Sequence, residues 1–182
     1  MMLLSILIPT MPTRKQLFQR LRDELYRQIG TKRHEVEILW DDSEESVGFK
    51  RQALLERARG QYVAFIDDDD EIDKEYISIM MKILPLQPDV VGFKGYITTN
   101  GARKKLFSIS KDHPYEERNG VYYRFNNHLC PVKRSIALQI GYKDMTFGED
   151  FQYAEALKAS GLIQTEVFID KELYHYKYVT KK

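Results

Sequence analysis

Three groups of carboxylates in this 182-residue chain have the type and spacing to do chemistry: Asp67-Asp68-Asp69-Asp70, Asp41-Asp42 and Glu149-Asp150. The first follows the apolar run Tyr62-Val63-Ala64-Phe65-Ile66. Two neighbouring ionised carboxylates about 6 Å apart repel by roughly 3 kcal/mol at an effective dielectric near 20. A divalent cation relieves that repulsion, and an all-oxygen donor set selects a hard ion such as magnesium or manganese. On composition alone a solvated acidic turn is the plainer reading. Asp41-Asp42 closes a second apolar run, and could accept hydrogen bonds from a nucleobase or ribose or satisfy nearby turn amides. Glu149-Asp150 falls in the first turn of a helical pattern, where the macrodipole favours the ionised form. It could cap that helix, or supply a general base, which typically contributes about 100- to 10,000-fold in rate. His175, between Tyr174 and Tyr176, could complete a metal site or pack as a hydrogen-bonded core residue. His128 could touch substrate or hold a turn.

The elements that must position these groups alternate. Leu3 to Ile8 reads as a strand, and Thr13 as the cap of a helix with Leu17, Leu21, Leu25 and Ile29 inward and Gly30 closing it. Val36 to Trp40 predicts a second strand, Phe49 to Arg59 a helix and Tyr62 to Ile66 a buried central strand. A helix over about 73–84 completes a parallel βαβαβ unit, whose ligands gather beyond the carboxyl ends of the strands. Beyond residue 95 the pattern changes. Val90 to Thr98 and Leu106 to Ser110 flank the hairpin signal Asn100-Gly101, and Asn119-Gly120 precedes a strand over Val121 to Phe125. Pro131 suits the first turn of a short helix ending near Gly141. Gly148-Glu149-Asp150 opens a helix to Ala159, and Ile163 to Ile169 predicts a last strand.

The totals narrow the function classes. A 43% apolar composition suits one globular domain over 1–182, and a formal charge of +1 steers the chain toward neither nucleic acid nor anionic lipid. The basic clusters Arg103-Lys104-Lys105 and Lys177, Lys181, Lys182 read as solvated surface. Cys130 is the single cysteine, so no internal disulfide forms; with no signal-peptide pattern and no apolar stretch of about 20 residues, the expectation is a cytoplasmic protein without a transmembrane segment. A Walker loop, paired zinc cysteines, His-Glu-x-x-His, Gly-x-Ser-x-Gly and a dinucleotide fingerprint after the first strand are all missing.

From Ser5-Ile6-Leu7-Ile8-Pro9-Thr10 to Tyr174-His175-Tyr176 the chain resembles family 2 glycosyltransferases of the GT-A fold. Lys50-Arg51-Gln52-Ala53-Leu54-Leu55 through Gly60-Gln61-Tyr62 and on to Asp67-Asp68-Asp69-Asp70 carries the resemblance most strongly. It implies an α/β fold: an open, twisted, mostly parallel sheet flanked by helices, with a nucleotide-sugar and metal half over about 1–95 and a mixed-sheet acceptor half over about 96–182. It implies inverting transfer of a sugar from a nucleotide diphosphate sugar, UDP-linked in the commonest case, to a saccharide or glycoconjugate hydroxyl. By the same resemblance Pro9, Thr10 and Arg14 line the nucleotide pocket, Asp41 or Asp42 reads the base, and Lys50 and Arg51 lie near base or phosphates. Asp67 and Asp68 face ribose and metal-bound water, Asp69 and His175 ligate Mn²⁺ or Mg²⁺, Asp150 is the catalytic base and Glu149 orients the acceptor. Gln52 replaces the family's asparagine, and Asn126-Asn127-His128-Leu129 stands where its glycine-rich segment would be. The acceptor side is short, which suits completion by an oligomer or partner. A silent nucleotide-sugar-binding relative and a sugar-phosphate nucleotidyltransferase are the alternatives; the latter calls for a glycine-rich loop where Pro9 and Pro12 stand.

Overall fold

The computed structural model describes residues 1–180, so Lys181 and Lys182 of the basic tail lie outside the described residues. The fully buried strand β1 (Leu4–Pro9) leads through a 3-10 turn at Pro12–Arg14 into α1 (Lys15–Ile29). The expected Thr13 cap is not made: Pro12 opens the turn, and no side chain caps α1. Phe18 joins Leu21, Leu25 and Ile29 on the buried face, leaving Leu17 only half-buried. Next come β2 (Val36–Asp41), α2 (Val47–Arg57) and β3 (Tyr62–Phe65). α2 starts before Phe49 because the Ser46 hydroxyl accepts from the Phe49 amide at 3.1 Å.

β1 pairs in parallel with β2 on one edge and β3 on the other. All three strands therefore end on the same side, which brings Thr10, Asp41-Asp42 and Asp67–Asp70 to one edge. A two-residue strand, β4 (Glu71–Ile72), precedes α3 (Tyr76–Ile83). Asp73 forms a turn ahead of that helix, its carboxylate accepting from the Glu75 amide at 2.9 Å.

The second half is built from hairpins. β5 (Val90–Thr99) and β6 (Ala102–Ile109) join through Asn100-Gly101, both at positive φ as a primed turn requires. β7 (Glu116–Arg118) and β8 (Val121–Arg124) do the same around Asn119-Gly120. After Pro131 the chain forms β9 (Val132–Lys133) before α4 (Arg134–Ile140), so the predicted helix begins late. Val132 is claimed by the sheet: it pairs with Val63 of β3 and Val90 of β5, joining the two halves.

α5 (Glu149–Ser160) and β10 (Glu166–Tyr178) complete the chain. β10 runs nine residues beyond the predicted end at Ile169. Asp170-Lys171-Glu172 looks like a terminator, yet irregularities flanking Glu172 absorb it within the ladder to β5. The three charges pair outward with Lys94, Asp73 and Lys104. That extension carries Tyr174, His175 and Tyr176 alongside the acidic run. The result is one mixed sheet, ordered β2-β1-β3-β9-β5-β6-β8-β7, with β10 on β5 and β4. Among the described residues no helix is long and apolar enough to cross a membrane.

Candidate active site

The four aspartates after β3 have four different environments. Asp67 takes a hydrogen bond from the Arg51 Nη2 at 2.9 Å, and its other oxygen lies 3.6 Å from His128 Nε2. Burial pushes the Asp67 carboxyl upward, but Arg51 and then His128 outweigh it and hold the group well below the usual carboxylate range. Asp68 is fully buried; it accepts from the Thr10 hydroxyl at 2.6 Å and pairs with Arg14 at 3.0 Å. Burial raises its pKa despite those partners. Asp69 is about one-third exposed and pairs with the same Arg14. Asp70 is buried, accepting from the Tyr174 hydroxyl at 2.7 Å and from the Lys177 amide at 2.7 Å. Burial, then the Asp67 charge, pushes it up to about 8.

Arg51 is the joint between the two halves. Its side chain is 4% exposed, bonds Asp67 through Nη2, reaches Glu149 Oε1 through Nε at 3.2 Å, and lies 5.1 Å over the Phe65 ring. Burial works against its charge, but Asp67, with Tyr142 and Glu149, raises the guanidinium pKa above its ordinary value. Arg51, expected near base or phosphates, thus has its Nη2 and Nε bonded to protein carboxylates. Glu149 is buried beside it at the start of α5, while Asp150 turns into a cavity of about 420 Å³. One Asp150 oxygen accepts from the Phe151 amide at 2.8 Å, leaving the other without a protein partner among the described residues. Asp67, His128, Asp150 and Tyr176 line the same cavity.

At the carboxyl end of β1, Lys50 is buried and donates to the Thr10 carbonyl at 2.8 Å, bracing the turn that follows. Pro9 ends β1 beside Asp41, and the Thr10 amide bonds the Asp41 carbonyl at 2.9 Å. The Asp41 carboxylate accepts from the Ser43 amide at 3.0 Å, the turn role foreseen for one of the pair; Asp42 is exposed and has no such bond. Gln52, in the asparagine's place, accepts from the Tyr142 amide at 2.8 Å.

His175 is not brought into the cavity that Asp67 and Asp150 share. It faces the other way along β10 from Tyr176, with Nε2 2.8 Å from the Thr98 hydroxyl, Nδ1 3.1 Å from Glu71, and its ring stacked on Tyr96. Among the described residues no three His, Cys, Asp or Glu side chains form a metal cage. A hard cation bridging phosphates needs only one or two carboxylates from the protein, and the part-exposed Asp67 and Asp69 meet that demand. The donor set fits such an ion through oxygen, with His175 committed elsewhere.

His128 is better placed than the sequence suggests. Its carbonyl accepts from the Phe65 amide at 3.1 Å, which fastens the Asn126–Leu129 segment against β3. The imidazole is 8% exposed, and among the described residues neither ring nitrogen has a hydrogen-bond partner. Its neighbours Asn127 and Pro131 marked a constrained turn, but only tertiary pairing reveals that the ring meets Asp67.

The sequence profile of glycosyl transferase family 2 matches residues 6–141 of this chain. The chain belongs to glycosyl transferase family 2. The match ends before Glu149-Asp150. Among solved structures, S. aureus TarS 1-349 in complex with UDP-GlcNAc superimposes with a TM-score of 0.68 at 15% identity, over 100% of this chain and 60% of that one. S. aureus TarS 1-349 in complex with UDP gives 0.65 at 16% identity over 97% and 60%, and S. aureus TarS gives 0.65 at 15% over 97% and 37%. This family 2 chain therefore spans about three-fifths or less of the TarS chains it matches, and at such identity the likeness is one of GT-A fold. No curated protein sequence matches it.

Proposed function

We propose that this chain transfers a sugar from a nucleotide diphosphate sugar to an acceptor hydroxyl, with inversion at the anomeric carbon. One observation carries the reading: Asp67 at the donor edge and Asp150 on α5 open onto one cavity, with the buried Arg51 tying Asp67 to Glu149 behind them. Inversion needs donor and base on opposite sides of the reacting carbon, and a cavity with a carboxylate from each half provides both sides.

In this reading Thr10, Pro9, Arg14 and Asp42 form the nucleotide pocket, with Lys50 and Asp41 shaping its wall. The donor nucleotide is UDP on the family's commonest usage, and the TarS complex with UDP-GlcNAc has the same fold. Asp69, with Asp67 and Asp68 behind it, would hold Mn²⁺ or Mg²⁺. When bound, that ion neutralises charge on the departing diphosphate. Arg14 now occupies Asp69 and Asp68, and can turn to phosphate when a cation takes the carboxylates. Asp150 takes the proton of the attacking hydroxyl on its unpartnered oxygen while the Phe151 amide fixes the other. Glu149 does not touch the reactants; by holding Arg51 it positions the first turn of α5 against β3.

The test is Asp150→Asn, which keeps size and polarity but removes the basic oxygen. Transfer and donor hydrolysis should fall at least 100-fold while UDP affinity stays within about twofold. Wild-type turnover in that variant would remove Asp150 as the base.

A further inference from the structure

We propose that the acceptor carries an anionic group, phosphate or carboxylate, bound by Arg124 and Lys158 in the cavity that Asp150 lines. The inference rests on the glycosyltransferase reading for the word acceptor, and on the cavity itself for its chemistry. Three observations support it.

Arg124 is a half-buried cation with no carboxylate partner among the described residues. Its Nη1 donates to the Glu116 and Tyr123 carbonyls at 3.1 and 2.8 Å, and its guanidinium lies 3.8 Å from the Tyr115 ring centre and 4.8 Å from that of Tyr122. These contacts fix the fork without neutralising it, and among the described residues Nη2 and Nε have no protein acceptor. A planar, pre-organised guanidinium recognises carboxylate or phosphate in bidentate fashion. Lys105, Arg118 and Lys104 on this part of the sheet are instead paired, with Glu117, Glu116 and Glu172.

Lys158 is the second cation on the same cavity without an ion pair among the described residues, its ammonium 5.9 Å from the Phe125 ring centre. It stands eight residues after Asp150 on α5, about 12 Å along the helix at 1.5 Å per residue. That span exceeds one sugar ring. Glu155 shares the helix face and makes no ion pair with either cation. The cavity thus carries the carboxylates of Asp67 and Asp150 together with two cations, and Lys158 stands apart from Asp150 along α5.

Much of the remaining wall is aromatic, with Tyr122, Phe125, Phe151 and Tyr176. Faces of such rings take the apolar side of a sugar while hydroxyls stay hydrated. The cavity therefore suits a saccharide with its nucleophilic hydroxyl at Asp150 and its charge at Arg124.

Isothermal titration of the protein with a disaccharide monophosphate, a disaccharide ending in glucuronate, and the neutral parent disaccharide tests this, each with and without saturating UDP and Mn²⁺. At least one anionic ligand should bind about tenfold or more tightly than the neutral one. Arg124→Gln and Lys158→Gln should each erase most of that preference while leaving neutral-ligand affinity and UDP affinity unchanged. Lys158 is exposed, so its variant keeps the test alive if Arg124→Gln fails to fold. Which anionic arm binds identifies the group. Equal binding of charged and neutral ligands, or no effect of either substitution, overturns the proposal. Displacement of the anionic ligand by UDP also overturns it, because the two cations would then serve the donor phosphates. UDP binding in the same samples reports separately on the glycosyltransferase reading.

Discussion

Removing Arg51 should cost more stability than its single position suggests. Arg51→Met keeps the buried volume but leaves Asp67 and Glu149 without their shared cation. Deleting one partner of a buried pair typically costs about 3–5 kcal/mol, and the lost Phe65 contact adds about 0.5–1 kcal/mol. Against this, Arg51 Nη1 is buried without a partner, and its removal returns about 1 kcal/mol. The net expectation is about 2.5–5 kcal/mol, or roughly 5–20 °C in Tm for a chain of this size. Urea unfolding followed by far-ultraviolet circular dichroism and by Trp40 fluorescence reads it. The carboxylates are the source of the cost, so Arg51→Met combined with Asp67→Asn and Glu149→Gln should recover more than half of it. Asp67, held low in the folded state, contributes stability that is present above its unfolded pKa and lost as pH falls through the folded value. The gap between wild type and Arg51→Met should therefore narrow below about pH 4. A single-variant loss under about 1 kcal/mol, or a triple variant no more stable than Arg51→Met, refutes this role for Arg51.

Asp70 carries the opposite sign. With a folded pKa of about 8 it holds its proton when the unfolded chain has lost it, so its contribution is complete below about pH 4 and declines as pH rises to about 8. Asp70→Asn, which can still accept from Lys177 and donate to Tyr174, should gain stability relative to wild type between pH 5 and pH 8, by up to about 1.4 kcal/mol per pH unit, in urea melts with chelator present; parallel pH profiles would contradict it. Gly48→Ala should destabilise the protein, because its Cβ would collide with the Lys143 carbonyl and come within 2.9 Å of the Met145 amide. Since that segment leads to Glu149, donor hydrolysis should fall with it, and a variant with wild-type melting and turnover would show that α2 and this segment are free to separate.

Much of the donor edge was legible because it is local. Tyr62 to Ile66 is buried on both faces, and a run of that kind ending in aspartates can only deliver them to the strand's carboxyl end. The resemblance carried by Lys50-Arg51 and the acidic run agrees with the family profile over residues 6–141. What the sequence hid depends on partners far along the chain. Arg51 is expected near base or phosphates because nothing near it in sequence says that Glu149 lies beside it, 98 residues away. His175 read as a metal ligand by position, but strand alternation in β10 sets it against Thr98 and Glu71 while Tyr176 takes the cavity side. The end of β10 lies beyond the expected one because Asp170-Lys171-Glu172 looks like a turn until ion pairs to β5, β6 and the turn before α3 hold it in the ladder. Arg124 and Lys158 carried no sequence signal beyond their charge; only the fold shows that neither is neutralised.

The most direct test of the proposal that Asp69 and Asp67 hold the donor's ion at the mouth of the cavity lined by Asp150 is the anomalous signal of Mn²⁺ in crystals grown with UDP. The geometry predicts the ion on the Asp69 carboxylate, the diphosphate between the Arg14 turn and the mouth of the cavity that Asp150 lines, and His175 still on Thr98 and Glu71. An ion and nucleotide bound elsewhere on the molecule, or UDP held with no ion at Asp69, would contradict it.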